Sequence, residues 1–96
     1  MSSVIDRIRE RLAPLAPTLI EIGDDSALHA GHAGARSGGG HYRLHIVADA
    51  FAGKNTVARH RLIYAALGEM MTRDIHALAI RAQTAEEARQ PTSKEH

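Results

Sequence analysis

The histidines are the residues of this sequence with the most chemistry to offer. The chain of 96 residues contains seven of them and no cysteine. Neutral imidazole binds transition metals well, and iron–sulfur clusters accept histidine in place of cysteine. Without cysteine the chain can form no disulfide, no thiol nucleophile and no metal site built on its own thiolates.

His76 is the sharpest candidate among them. It stands near the start of an alternating segment, 75–82, which is predicted to be a strand. Simple alternation puts it on the same face as Leu78 and Ile80. A lone histidine at a strand end is more often packed or hydrogen-bonded than bound to a metal. The pattern by itself leaves both roles open.

Three further histidines lie in or beside a glycine-rich segment, 27–40, that has little to bury and is predicted to be a loop. They are His29, His32 and His41. A zinc site built from these three is conceivable, although their spacing matches no standard zinc pattern. Asp24 and Ser26 add hydrolase residue types, but a turn implies no oriented acid–base geometry. We expect a protein that binds partners and catalyses no reaction.

Basic residues concentrate between positions 36 and 61, where five Lys and Arg residues stand against one acid. Lys54, Arg59 and Arg61 lie near the start of a predicted helix, whose exposed N–H groups favour phosphate, so they are candidate nucleic-acid contacts. A solvated basic face is the alternative, because no aromatic residue interleaves with them and only the first glycine of a GxxG loop, Gly53, is present. His60 falls inside the apolar arc of this helix and is predicted to be buried and neutral.

The elements that must position these residues follow from the hydrophobic patterns. The length fits one domain, predicted over residues 1–90, with a flexible tail over 91–96. Alternation in the second strand predicts an apolar face of Tyr42, Leu44, Ile46 and Ala48. The predicted elements are a helix from about Val4 to Leu12 capped by Ser2 or Ser3, strands at 18–22, 41–48 and 75–82, a helix from about Val57 to Met71 capped by Asn55 or Thr56, and a short helix at 85–89.

Membrane insertion and secretion are not indicated. No apolar run approaches the roughly 20 residues that span a bilayer. The first twelve residues alternate charge with Leu and Ile and lack the continuous apolar stretch of a secretory signal. We predict a cytoplasmic protein that binds no membrane and is a monomer or a weak homodimer in isolation.

Four segments in order resemble the BolA family: HAGHAGAR (29–36), HYRLHIV (41–47), FAGKNTVARHRLIYAAL (51–67) and IHALAI (75–80). The resemblance runs from Ile5 to about Glu87. One departure is the pair Asn55–Thr56, where the family often has Ser or another small residue. The resemblance implies an α+β fold like a class II KH domain, with a three-stranded mixed sheet, helices packed on one face and the order α-β-β-α-β-α.

The resemblance also implies partners and ligands. BolA-like proteins pair with monothiol glutaredoxins and share a [2Fe–2S] cluster, for which the partner supplies glutathione. His76 occupies the place of the family's cluster ligand, and the loop before the second strand supplies another. For that second ligand His41 and His32 rank nearly level and His29 third. The alternative role is that of a DNA-binding transcriptional regulator of morphology and stress-response genes.

Overall fold

The computed structural model describes residues 3–25 and 40–90 of the chain. Short 3₁₀ turns at Ala13–Leu15 and Asp49–Phe51 follow the first helix and the second strand. No helix in these residues is long and apolar enough to cross a membrane. In chain order the elements are α1 (Val4–Leu12), β1 (Leu19–Asp24), β2 (Gly40–Val47), α2 (Thr56–Leu67), α3 (Met70–Arg73), β3 (Ile75–Gln83) and α4 (Ala85–Ala88).

The three strands form one mixed sheet in the order β1-β2-β3. β1 and β2 are antiparallel, whereas β2 and β3 are parallel. Parallel neighbours need a long crossover, which α2 and α3 provide. The predicted α+β fold and its element order are confirmed, although β1 ends two residues later than the predicted strand.

The core lies on one face of this sheet. Alternation in β2 turns Tyr42, Leu44 and Ile46 towards the helices, as predicted, and each is at most 9% exposed. Side chains on the opposite face stay exposed or half-buried, except Val47 at the end of β2, which is 4% exposed. We call this opposite surface the open face. The core is completed from the helices, the turn and the start of β3 by Ile8, Leu12, Phe51, Ile63, Leu67, Met70 and Ile75.

Side-chain caps fix where the two longer helices begin. The Ser3 hydroxyl accepts a hydrogen bond from the Asp6 N–H at 3.0 Å, and the side-chain Oδ1 of Asn55 accepts one from the Ala58 N–H at 2.9 Å. Each bond satisfies a donor that the first turn of a helix leaves without a partner. The structure therefore selects Ser3 and Asn55 from the two pairs of predicted caps.

The prediction of one helix continuing to Met71 is wrong. α2 ends at Leu67, and its C-cap Gly68 has a φ of 56°. Glycine adopts a positive φ without the steric cost that a Cβ brings, which makes it a common helix terminator. The chain then turns into the four-residue helix α3 before β3 begins.

The apolar arc predicted for this helix, formed by Val57, Ile63, Tyr64, Leu67, Met70 and Met71, is wider than the buried face of α2. Ile63 and Leu67 are fully buried, but Tyr64 is 42% exposed and Val57 is 57% exposed. α2 faces the core along a narrow stripe, so residues at the rim of the predicted arc reach solvent. His60, which lies inside the predicted arc, is half-buried, with its ring 6.2 Å from the Tyr64 ring. The prediction of a buried His60 is therefore wrong.

Candidate functional site

Two predicted ligand residues meet where β2 and β3 begin. The ring centroids of His41 and His76 are 5.1 Å apart, with their planes inclined by 40°. His76 is exposed and His41 is half-buried. We call these two residues the histidine pair. Two imidazoles that bind one tetrahedral metal with metal–nitrogen bonds of about 2 Å have ring centroids about 5 Å apart. The spacing of the histidine pair therefore fits joint metal coordination.

An irregularity in the sheet brings the two rings together. Gly40 is aligned with Ile75, but the next residue, His41, is aligned with Ala77, so His76 is an extra residue in β3. Such a bulge re-aims a side chain and is over-represented beside functional sites. His76 is exposed between the buried Ile75 and the half-buried Leu78. The expectation that His76 shares a face with Leu78 and Ile80 is wrong, because the bulge interrupts the alternation.

The backbone is held on both sides of the bulge. The Gly40 N–H donates to the carbonyl oxygen of Asp74 at 3.0 Å, and the Asp25 N–H donates to that of His41 at 2.7 Å. Ile75 is 3% exposed and anchors the start of β3 in the core. The Asp74 carboxylate also pairs with Arg7 of α1 at 3.1 Å. These contacts fix the chain on either side of His76 while its side chain stays exposed.

Behind the histidine pair lies Tyr42, whose side chain points into the core from β2. Burial raises the pKa of its phenol above the ordinary value, and the nearby carboxylates of Asp24 and Asp74 raise it further. All three effects disfavour the charged phenolate. Tyr42 is therefore a neutral residue that supports the strand beneath the site.

Two other predicted ligands, His29 and His32, lie outside the described residues. The competition between His32 and His41 for the role of second ligand is consequently not decided. Across residues 3–25 and 40–90 there is no group of three or more His, Cys, Asp or Glu side chains placed to hold a metal. The histidine pair offers two imidazoles, so a metal bound there would need its other ligands from elsewhere.

The predicted nucleic-acid contact Arg59 is engaged within the protein. Its Nη1 and Nη2 donate to the two carboxylate oxygens of Glu87 at 2.7 and 2.9 Å. Its Nε donates to the Lys54 carbonyl oxygen at 2.8 Å, and Nη1 also donates to that of Ala82 at 2.9 Å. The hydrogen bond to Glu87 raises the pKa of Arg59, and the side chain is only 13% exposed. Arg59 ties α2 to β3 and α4 and has little left to offer a phosphate.

Lys54 and Arg61 differ from Arg59 because both are exposed. Lys54 precedes the cap of α2, and Arg61 lies on its solvent side. Neither side chain makes a hydrogen bond or an ion pair to another described residue. Of the three predicted contacts, these two have free donors.

Arg43, His45 and Arg81 line the open face, and none of them was among the predicted site residues. The signal was present, because alternation in the second strand put His41, Arg43 and His45 on one face. His45 bridges the strands: its Nε2 is 2.8 Å from the Gln83 Oε1, and its Nδ1 is 3.5 Å from the Glu21 Oε1.

The family model described as "BolA: BolA-like protein" matches residues 12–87, a range that contains the histidine pair, the bulge and Arg59. The chain belongs to the BolA-like family. It is 37% identical over 83 residues to the DNA-binding transcriptional regulator BolA of Escherichia coli, and the match covers 85% of this chain and 76% of that protein.

Plant relatives of this BolA-like chain are similar in both sequence and structure. It is 48% identical over 84 residues to SufE-like protein 1, chloroplastic/mitochondrial, of Arabidopsis thaliana. The match covers 81% of this chain but only 23% of that relative. The solved BolA domain of SufE1 from the same plant superposes with a TM-score of 0.78 at 45% identity, covering 91% of this chain and 98% of that one.

These relatives bear on two of the predictions. The family model is described as BolA-like and the Escherichia coli relative is named as a regulator, and neither name is that of an enzyme. One relative is named as chloroplastic or mitochondrial. Cytoplasmic location therefore stays a prediction from the sequence.

Proposed function

We propose that this BolA-like chain binds a monothiol glutaredoxin and shares a glutathione-dependent [2Fe–2S] cluster with it, for iron–sulfur trafficking or iron sensing. The observation that carries the proposal is the histidine pair, with two ring centroids 5.1 Å apart at the exposed start of two parallel strands. A cluster bound there would supply redox-active iron and a labile cargo. The protein would supply ligands, their orientation and a docking surface.

The donor set explains why a partner is needed. His76 and one further histidine provide two nitrogen ligands, whereas a [2Fe–2S] cluster takes four ligands from its surroundings. The chain has no cysteine, so both thiolates must come from outside it. A glutaredoxin cysteine and the thiolate of glutathione complete the set.

The two histidines differ in exposure and in how firmly they are held, so we propose different roles for them. His76 is exposed and can reach a group carried by another protein, while His41 is half-buried and aligned within the β2–β3 ladder. A ligand fixed by its surroundings keeps its geometry when the partner docks. We therefore assign His76 and His41 as the ligands, with His32 as the competitor for the second place.

Substitution of His76 tests this proposal. The chain is co-purified with a monothiol glutaredoxin and glutathione under anaerobic conditions, and the visible absorption of the complex is recorded. His76→Ala should abolish or strongly destabilise the cluster absorption, because water is a poor substitute for imidazole on iron. The heterodimer without cluster should remain detectable by size-exclusion chromatography, since one side chain is a small part of the contact surface.

His60→Ala is the matched control, because it removes a half-buried histidine from α2 instead of the sheet. It should leave the absorption unchanged. If His76→Ala and His60→Ala give the same spectrum as the unmodified chain, the shared-cluster mechanism is wrong.

A second candidate function is DNA binding by a transcriptional regulator of morphology and stress-response genes. It is supported by the free donors of Lys54, just before α2, and of Arg61, in its second turn, and by the similarity to the Escherichia coli regulator. Helix N-termini and basic side chains together favour phosphate. Because Arg59 is held by Glu87, the contact surface is smaller than the sequence suggests.

The salt dependence of DNA binding tests the second candidate. Replacing both Lys54 and Arg61 by Ala should make the negative slope of log affinity against log salt shallower by about 2, roughly one for each phosphate that is no longer neutralised. Arg73→Ala removes an exposed arginine of α3 and should leave the slope unchanged. Absence of DNA binding by the unmodified chain at low salt would eliminate direct regulation.

A further inference from the structure

The open face contains a shallow depression of about 550 Å³ beside the histidine pair. The register arranges its lining in two rows across the three strands. Gly23 and Ala79 flank Arg43 without long side chains of their own. The two rows are Glu21–His45–Arg81 and Gly23–Arg43–Ala79.

Both arginines of this depression have unused donors. Arg81 is exposed and makes no hydrogen bond or ion pair with any described residue. Arg43 donates through Nε to the Asp25 carboxylate at 2.7 Å, while its Nη1 and Nη2 make no hydrogen bond within the described residues. Its guanidinium lies over Gly23, where a Cβ would collide with it. Guanidinium groups with free parallel donors match the geometry of carboxylates.

Glu21 gives the depression a negative side. Its side chain is 68% exposed and lies on β1, two strands away from Arg81. Neighbouring strands are roughly 4.8 Å apart, so the backbones of Glu21 and Arg81 are about 10 Å from each other across the depression. A polyanion would be repelled by Glu21. A ligand with an ammonium group and carboxylates matches both the negative side at Glu21 and the positive side at the two arginines.

The lining also argues against nucleic acid on this face, because its described residues include no Phe, Tyr or Trp and the ring of His45 is already held between Gln83 and Glu21. Sheets that bind single-stranded nucleic acid stack the bases on aromatic side chains. The charge pattern and the lining therefore both favour a small peptide.

We propose that the depression binds a short zwitterionic peptide, with its carboxylates on Arg43 and Arg81 and its ammonium group towards Glu21. His41 lies on the same face two residues before Arg43, so the bound peptide is adjacent to the histidine pair. The choice of a glutathione-sized peptide rests on the proposed function, because such a peptide would bring its thiolate next to the ligand histidines. The charge pattern itself does not depend on any metal.

The test uses the full chain without metal or partner and S-methylglutathione as the probe, which has two carboxylates and one ammonium group but no thiol. Affinity is measured by calorimetry or by chemical-shift titration. Arg43→Met and Arg81→Met should each weaken binding about fivefold or more, since each removes a charge-assisted hydrogen bond. Arg73→Met is the charge-matched control and should leave the affinity unchanged. Circular dichroism verifies that every variant is folded.

Glu21→Gln separates a peptide site from a general anion site. It should weaken the binding of S-methylglutathione, because the ammonium group of that probe then has no carboxylate to meet. It should strengthen the binding of inorganic phosphate, which is no longer repelled by a negative charge. The proposal would be overturned if the unmodified chain bound phosphate as tightly as S-methylglutathione. It would also be overturned if the two arginine variants bound the peptide as tightly as the unmodified chain. Because no cluster is present, this result is independent of the His76→Ala experiment.

Discussion

The histidine pair and the start of α2 both contain side chains with several nitrogen atoms, but these side chains are exposed in the first region and bonded within the protein in the second. At the histidine pair, His76 is exposed, and its one described contact is with the ring of His41. At the start of α2, Arg59 is 13% exposed and bonds to the Glu87 carboxylate and to two backbone carbonyls. Side chains that retain free donors or lone pairs can bind a partner, whereas those satisfied internally stabilise the fold. Substitutions in the two regions should therefore affect different measurements.

The largest expected effect on stability is at Arg59. Arg59→Met leaves a carboxylate and two carbonyl groups without their charged donor, so we expect the free energy of unfolding to fall by about 2 kcal/mol. Urea denaturation measures this loss. Lys54→Met, at an exposed position in the same region, should change stability by no more than about 0.5 kcal/mol. Equal losses in the two variants would contradict the structural role of Arg59.

A smaller effect, confined to alkaline pH, is expected at Tyr42. Burial raises the pKa of Tyr42 in the folded chain above the ordinary tyrosine value. The unfolded chain therefore loses this proton first, so the stabilisation is full below about pH 10 and declines as the pH rises further. Tyr42→Phe should flatten the decline, as followed by urea denaturation across the alkaline range. Tyr64→Phe, at an exposed position, should leave the decline unchanged. If the free energy of unfolding fell equally steeply with pH in the two variants, burial of Tyr42 would not be the cause of the decline.

The smallest effect on stability is expected at the proposed ligand itself. His76→Ala removes an exposed side chain that makes no hydrogen bond within the described residues, so the free energy of unfolding should change by no more than about 0.5 kcal/mol. Thermal or urea unfolding of the metal-free chain measures it. A loss near that of Arg59→Met would show that His76 is a packing residue and remove the contrast between the regions.

Much of the fold could be predicted from local patterns. Alternation in β2 correctly separated Tyr42, Leu44 and Ile46 from the open face, because side chains in a strand point alternately to opposite sides. Gly68 was also a readable sign of a helix end, but the apolar residues Met70 and Met71 favoured continuing the helix past it.

The contrast between the regions could not be predicted locally. The bulge at His76 depends on how β3 aligns with β2, and a single strand does not reveal an extra residue. Arg59 and Glu87 are 28 positions apart, so their pairing required the fold. Proximity of His41 and His76 likewise depends on two strands that α2 and α3 separate in the chain.

Nitrogen ligation by this chain can be detected directly by selective labelling. The chain is produced with ¹⁵N-histidine, assembled anaerobically with unlabelled glutaredoxin and glutathione, and the reduced cluster is examined by pulsed electron paramagnetic resonance. Histidine coordination predicts a strong ¹⁵N coupling, which the His60→Ala variant should retain unchanged. A cluster that forms with no ¹⁵N coupling would show that this chain supplies no imidazole ligand and would contradict the shared-cluster account.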